Sequence, residues 1–228
     1  MKTDPQFELP GVVPIMTLSD VVLFPQATLP LYIFEPRYRR MLADSLETHS
    51  LFGIATLDRS NEGSDFFEPY HKIATLGMIR SSQANDDGTS SILVQGLTRM
   101  RLGEVVKEEP YRLVEMEPIL PLPDKATQEF QSKMSALMDL VKRRQELGER
   151  FSEELLRFLS RIDDPEIFAD MVAYTMLPET SDKLEVLGAV EIGRRYSILL
   201  RVMQQMNVDL ELRRRLQGGL LDERIDLN

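Results

Sequence analysis

Hydrophobic and polar positions follow two different rhythms along the chain, with the change near Pro118. Before it, short β-branched and aliphatic runs are broken by Gly, Pro, Asn and Asp, the punctuation of strands and turns. Val12 to Ile15 reads as a first strand and Ala27 to Tyr32, with Leu29 and Leu31 alternating, as a second. Pro36 to Ser45 reads as a helix: proline suits the first turn, and Tyr38, Met41, Leu42 and Leu46 fall at helical spacing. Leu51 to Leu57 returns to strand. Ile73 to Ser81 and Ser90 to Leu97 flank Asn85-Asp86-Asp87-Gly88, a polar cluster ending in Asp-Gly that predicts a hairpin. Arg99 to Val106 and Tyr111 to Glu117 read as two more strands. About seven short strands with one helix predict a small coiled or barrel-like sheet.

After Pro118 the period becomes helical. Phe130, Met134, Leu137 and Val141 are spaced four, three and four, and Phe151, Leu155, Phe158 and Ile162 repeat that spacing. Asp164-Pro165-Glu166 has the form of a helix start: an N-cap, a proline and an acid near the positive end. Phe168, Val172 and Met176 line its face and Pro178 stops it. Thr180 is read as the cap of a last helix carrying Leu184, Leu187, Ile192, Leu199, Val202 and Met206 and running toward Gly218-Gly219, which should break it. The join, Pro118 to Pro123, holds three prolines and reads as a stiff connector. The expected fold class is α+β: a β-sheet subdomain with one helix over 10–122, a helical bundle over 123–217, and a tail over 218–228.

Composition narrows the chemistry. With 228 residues the chain is long enough for a substantial core. It contains no cysteine, which excludes disulfides, zinc thiolates, iron–sulfur clusters and a cysteine nucleophile. Two histidines, His49 and His71, leave no three-histidine metal site. There is no Gly-Lys dipeptide and hence no P-loop, no Gly-x-Gly-x-x-Gly and no Gly-x-Ser-x-Gly elbow. The turn acids Asp86-Asp87 and the Glu108-Glu109-Pro110 turn read as solvated, as do Arg143-Arg144; Arg213-Arg214-Arg215 reads as a solvated face or a small anion-binding patch. No catalytic residue, metal ligand or cofactor is expected. A net charge of −10 disfavours DNA. The first residues, Met1 to Pro5, lack a hydrophobic signal core and no apolar run could span a bilayer, so no membrane partner and a cytoplasmic location are expected.

Two groups of residues stand out as binding candidates. Phe34-Glu35-Pro36-Arg37-Tyr38 is either a strand-to-helix junction that fixes the fold or a recognition surface built from Phe34, Glu35, Arg37 and Tyr38. Arg99 and Arg101 alternate along one strand and so share a face. They form either a carboxylate- or phosphate-binding pair or partners for acids such as Glu115 and Glu117 on a neighbouring strand. Met134, Met138, Met171 and Met176 read as core filler, whereas exposure of Met203 and Met206 would mark an adaptable binding surface.

The stretch Val13-Pro14-Ile15-Met16-Thr17-Leu18-Ser19-Asp20-Val21-Val22-Leu23-Phe24-Pro25, followed by Leu29-Pro30-Leu31-Tyr32-Ile33-Phe34-Glu35-Pro36-Arg37-Tyr38, resembles the N-terminal substrate-binding domain of the Lon protease family. It departs from that pattern at Gln26, where glycine is usual, and at Ile15 and Met16, where leucine and phenylalanine are common. Leu76 to Ile79, Asp87-Gly88-Thr89 and Val94-Gln95-Gly96-Leu97-Thr98-Arg99-Met100-Arg101-Leu102 continue the similarity, as do Tyr111, Glu115 and the segment from Asp164 to Arg194. The resemblance covers roughly Pro10 to Met206. It implies a PUA-like, pseudo-barrel β subdomain followed by a helical bundle, in a stand-alone Lon N-domain of the kind labelled peptidase S16 Lon domain protein, without ATPase or peptidase modules. The implied function is a non-catalytic module, or adaptor, that binds unfolded or hydrophobic polypeptide segments or a specific protein partner. The alternative is a small-ligand or RNA-binding PUA-like domain.

Overall fold

The computed structural model describes residues 9–59, 69–120 and 127–222. The chain divides into two compact units, Met1–Leu120 and Pro121–Asn228.

Among its described residues the first unit holds six strands and one helix: β1 Val12–Leu18, β2 Thr28–Ile33, α1 Pro36–Leu46, β3 Leu51–Thr56, β4 Ile73–Ala84, β5 Ser90–Lys107 and β6 Leu113–Ile119. β1 runs parallel to β3, and every other pairing is antiparallel. The sheet order is β2-β5-β4-β3-β1-β6, and an additional β5–β6 pairing joins its far end back to β5. β5, β4, β3, β1 and β6 therefore form a ring with no free edge among them, while β2 hangs on the first half of β5 through Ser90 to Gln95. A ring of this kind removes the exposed edges that invite mispairing. All six residues of β3 are buried, as a strand covered on both faces requires. The core inside the ring is Val13, Ile15, Leu51, Leu76, Met100 and Val114 with their neighbours.

Three strand expectations change. The first strand extends to Leu18 because its pairing with β3 continues to Leu18↔Thr56. The two strands expected at Ser90–Leu97 and Arg99–Val106 are one, so the count is six. Gly96 lies where they merge, and a Cβ there would collide with the Phe24 carbonyl. Its N–H donates to Ala27 O at 2.9 Å and its carbonyl accepts from Gln26 N at 2.8 Å. Pro118 and Ile119 belong to β6 rather than to a connector. The register with β1 covers only Leu113 to Glu115, so proline at 118 forfeits no bond to that neighbour. The rest of the expected connector, 121–126, lies outside the described residues.

The segment between β1 and β2 carries Val22, Leu23 and Phe24, all buried, without regular structure. Buried irregular backbone needs side-chain partners. Here the Thr56 hydroxyl donates to Val21 O at 2.6 Å and the Thr75 hydroxyl to Leu23 O at 2.5 Å. In the Asn85–Thr89 hairpin, Gly88 adopts φ +78°, and Asp87 accepts from the Thr89 N–H and hydroxyl at 2.9 and 2.6 Å. Those two bonds hold the Asp87 carboxyl below its ordinary pKa, the hydroxyl contributing most.

The described residues of the second unit form five helices: α2 Thr127–Glu146, α3 Glu153–Leu159, α4 Pro165–Met176, α5 Thr180–Gly188 and α6 Ile192–Asp222. α4 is apolar on most sides and buried, the central rod of the bundle. Asp164 caps it as expected, accepting from Glu166 N at 2.8 Å and Ile167 N at 3.1 Å. Tyr196 is fully buried against Phe130, ring centroids 5.5 Å apart, and donates to Pro165 O at 2.9 Å. α3 is shorter than the apolar spacing suggested: Phe151 and Ile162 lie outside it and Phe158 is exposed.

The expected last helix is two. Glu179, not Thr180, occupies the N-cap position of α5, and the chain breaks at Ala189 to Glu191. Arg195, buried, donates from Nε to Ala189 O at 2.8 Å and from a terminal nitrogen to Val190 O at 2.9 Å. Its other terminal nitrogen lies 3.6 Å from Glu166 and 3.8 Å from Asp170. One side chain thus satisfies the carbonyls that the break exposes. Gly218-Gly219 does not end α6, which runs to Asp222; 223–228 lies outside the described residues. Arg144, expected on a solvated face, is buried in a bidentate pair with Glu149 at 2.7 and 2.6 Å. Met171, Met176 and Met203 are buried, while Met206 is half-buried beneath the Arg144 guanidinium. Among the described residues no helix is long and apolar enough to cross a membrane.

Candidate binding site

The β2–α1 junction is built from its sequence. Ile33 is buried at the end of β2, and the chain then turns outward at Phe34. Phe34 is 59% exposed, and its ring stacks on that of Tyr32 at 6.3 Å with 25° between planes. Two large aromatic side chains thus form an exposed ledge. The Tyr32 hydroxyl shares a 2.9 Å bond with Thr89 of the β4–β5 turn, which fixes that end of the ledge.

Glu35 occupies the N-cap position of α1 without bonding the helix N–H groups, and Pro36 supplies the first helical residue. The Glu35 carboxylate instead accepts from Arg37 Nε at 2.9 Å. Both groups are about 40% exposed, so the ion pair is a surface feature worth less than about 1 kcal/mol to the fold. The Arg37 guanidinium also sits 4.5 Å from the Tyr38 ring centroid, within cation–π range. Tyr38 is buried. Its hydroxyl accepts from Thr17 N at 3.2 Å and lies 3.4 Å from Thr17 O, which pins α1 to β1.

Beside this junction lies an open cleft of about 570 Å³ lined by Ile15, Thr17, Pro36, Arg37, Tyr38 and the β5–β6 loop from Glu108 to Arg112. Arg112 donates to Glu108 at 2.8 Å and lies 5.4 Å from the Tyr70 ring. Tyr111 donates to Asp44 Oδ2 at 2.7 Å, and Asp44 also accepts from Arg40 Nε. The two bonds hold Asp44 below the usual carboxylate range, Tyr111 contributing most. Burial first, and then the bond to Asp44, push the Tyr111 hydroxyl up to about 12. Its proton therefore stays in place at neutral pH, fixing the loop wall to α1.

The structure thus brings Phe34, Glu35, Arg37 and Tyr38 together. It separates them from Arg99 and Arg101. Arg99 is buried, 6.0 Å from the Phe24 ring, whereas Arg101 is exposed and in register with Glu117 of β6. Sequence reasoning missed Tyr111 and Arg112 as cleft residues, since the approach of the β5–β6 loop to α1 depends on the ring. Tyr32 was also missed, although its alternation with Phe34 along the strand end was a readable signal. His49 is exposed at the end of α1, and the His71 N–H donates to Thr56 O at 2.9 Å. Among the described residues no cluster of acids and histidines could hold a metal ion.

Residues 12–205 match the family model of the ATP-dependent protease La (LON) substrate-binding domain. The chain belongs to the Lon substrate-binding domain family. It is 27% identical over 216 residues to the Lon protease of Dictyoglomus thermophilum, covering 95% of this chain and 27% of that protein. It is 28% identical over 206 residues to the Lon protease of Desulfosudis oleivorans, covering 90% and 25%. The chain therefore spans about a quarter of the length of these relatives. In fold it is similar to the N-terminal domain of a Lon protease from the Mycobacterium avium complex, with a TM-score of 0.65, 18% identity, and 85% of this chain and 98% of that one covered. A Lon N-terminal domain protein from Xanthomonas campestris matches with a TM-score of 0.57 at 20% identity, covering 83% and 97%. The α+β architecture agrees with these Lon N-domains, and the match lies in the substrate-binding domain.

Proposed function

We propose that this chain is a non-catalytic polypeptide-binding module that takes extended, apolar segments of unfolded proteins on the Tyr32–Phe34 ledge and in the adjoining cleft. The observation that carries this reading is the ledge: two stacked aromatic rings, one 59% exposed, held from below by the Thr89 turn and flanked by an open cleft. Aromatic side chains on a rigid mount offer large contact area at small entropic cost, which is how binding hot spots are built. The Glu35–Arg37 pair and the Arg112–Glu108 pair give the cleft a polar rim able to bond the backbone of a bound segment. Membership in the Lon substrate-binding family supports the same reading. In this reading the β unit serves as a PUA-like pseudo-barrel platform. Hydrolysis, where relatives perform it, is assigned to parts of those proteins beyond the quarter that this chain matches.

The test is a fluorescence-anisotropy titration of the full chain with a labelled 15-residue peptide of alternating Phe or Leu and Ser. Replacing both ledge residues, Tyr32→Ser with Phe34→Ser, is expected to raise Kd by about 10- to 100-fold, the usual loss for hot-spot aromatics. The Glu35→Ala/Arg37→Ala pair is expected to weaken binding less and to leave the circular dichroism spectrum unchanged. Equal affinity for the parent and the ledge variant would overturn the assignment.

A further inference from the structure

The last turns of α6 carry an exposed apolar stripe that the bundle does not use. Val208, Leu212 and Leu216 recur every four residues and are 58%, 55% and 61% exposed. The bundle lies on the other side of the helix. Met203 is buried, Asn207 Nδ2 donates to Leu140 O at 3.1 Å, and Arg214 donates to Glu146 O at 2.9 Å. We propose that this stripe is the contact surface for a second copy of the chain, with two α6 helices packed antiparallel about a two-fold axis at Leu212.

The charges beside the stripe select both the occupant and the direction. Asp209 and Arg213 follow Val208 and Leu212 by one residue and line one flank. Glu211 and Arg215 precede Leu212 and Leu216 by one residue and line the other. In an antiparallel two-fold pair each flank meets the same flank of the partner running backwards. Asp209 then faces the partner copy's Arg213, and Glu211 faces the partner copy's Arg215. With the axis at Leu212 each of these pairs is staggered by two residues, about 3 Å along the helix. Arg213 and Glu211 come to the same stagger from their own copies, so opposite-charge contacts outnumber like-charge ones two to one. Along the seam, Val208 faces the partner copy's Leu216 and Leu212 faces its own copy. In a parallel pair the two flanks would meet with the same two-residue stagger, placing Asp209 beside Glu211 and Arg213 beside both Glu211 and Arg215, so like-charge contacts would outnumber opposite-charge ones two to one. That excess of like-charge contacts is a penalty on the parallel alternative. Within one chain Arg215 pairs with Glu211 at 2.9 Å, Arg143 lies 3.8 Å from Glu211, and Asp209 accepts from Gln205 at 2.9 Å. All are exposed contacts that exchange readily with equivalent ones across an interface. A seam of three aliphatic residues per helix makes this a weak, reversible dimer rather than an obligate one.

The absence of cysteine makes the test clean, because one introduced thiol is the only thiol in the protein. In the full chain, Leu212→Cys is expected to form a disulfide-linked dimer under mild oxidation. Val208→Cys alone is expected not to, since the two copies would lie eight residues, about 12 Å, apart along the axis, beyond the roughly 7 Å reach of a disulfide. An equimolar mixture of Val208→Cys and Leu216→Cys should cross-link as heterodimer. In sedimentation velocity the parent should show concentration-dependent dimerisation that Leu212→Glu abolishes. Asp209→Lys with Glu211→Lys should weaken it, and adding Arg213→Glu with Arg215→Glu should restore it. Self-linking of Val208→Cys, a dimer insensitive to Leu212→Glu, or a monomer throughout the accessible concentration range would each overturn the proposal. None of these outcomes depends on whether the Tyr32–Phe34 ledge binds peptide.

Discussion

Gln26 adopts φ +65°, the left-handed region that costs a residue with a Cβ about 1 kcal/mol or more. The family pattern places glycine there, so the departure legible in the sequence has a physical meaning: this chain carries local strain in the turn leading into β2. Gln26 accepts a bond from Gln95 at 3.2 Å, but that bond is exposed and compensates little. Gln26→Gly is therefore expected to raise stability in urea denaturation by about 0.5–1 kcal/mol after the extra entropy of unfolded glycine is subtracted. Gln26→Val should lower it. The Asp44–Tyr111 bond gives a second residue-level expectation. Asp44 is held below its ordinary pKa in the folded chain, so its contribution is present above the unfolded value and lost as pH falls through the folded one. Tyr111 is pushed up to about 12, so its contribution is complete below pH 10 and lost as pH rises toward 12. Tyr111→Phe should bring the Asp44 titration, followed by NMR, back up toward the ordinary carboxylate value and remove the alkaline loss.

At the level of elements, the strands and helices with strong periodicity were readable, and the junctions that depend on long-range partners were not. The Asp164-Pro165-Glu166 start of α4 and the Asn85–Thr89 hairpin are local chemistry and appear where the sequence puts them. The break between α5 and α6 is held by Arg195. In sequence it is half of an Arg-Arg dipeptide within what reads as one continuous helix, indistinguishable from a solvated cation. Its burial follows only from α4 bringing Glu166 and Asp170 alongside. Arg195→Met should cost about 3–5 kcal/mol, the penalty for leaving buried acids and carbonyls unpaired. Thermal denaturation with Arg195→Lys as control checks this, the lysine recovering part of the loss. Gly96 is the comparable point in the sheet. Its place in a glycine-containing motif was visible, but its reason, the Phe24 carbonyl against its Cα, was not. Gly96→Ala must push that backbone away and weaken the two bonds to Gln26 and Ala27. A loss of at least about 2 kcal/mol is expected in the same measurement. The candidate site divides in the same way. Phe34 to Tyr38 was legible because it is contiguous, whereas the pairing of Arg99 with Arg101 rested on strand alternation alone. Met100 and Leu102 face the ring core, and Arg99 is buried beside Phe24 rather than displayed with Arg101.

Over the whole molecule the deciding quantity is charge. Lys and Arg number 27 against 37 Asp and Glu, a net of −10 with two histidines neutral. A field of that sign repels nucleic acid and raises the local concentration of cationic chains. On the proposed reading the apolar ledge sets what is gripped, and the field sets which grips form quickly. Among unfolded segments of equal apolar content, those carrying Lys and Arg between their aromatic residues should therefore bind faster than those carrying Asp and Glu. The attraction is long-range and exposed, so it is screened within about 8 Å at 0.15 M salt and within about 3 Å at 1 M. Stopped-flow association of two peptides, identical except for Lys or Glu at the polar positions, measures this directly. At low salt the lysine peptide should associate at least about tenfold faster. By 1 M salt the two rates should converge while the dissociation rates, set by the ledge, stay close to their low-salt values. Convergence of association without change in dissociation separates steering by the acidic surface from contact at the site. A rate difference that survived high salt would instead place the discrimination in short-range contact with an acid lining the cleft, where Glu108 and Glu109 are the candidates.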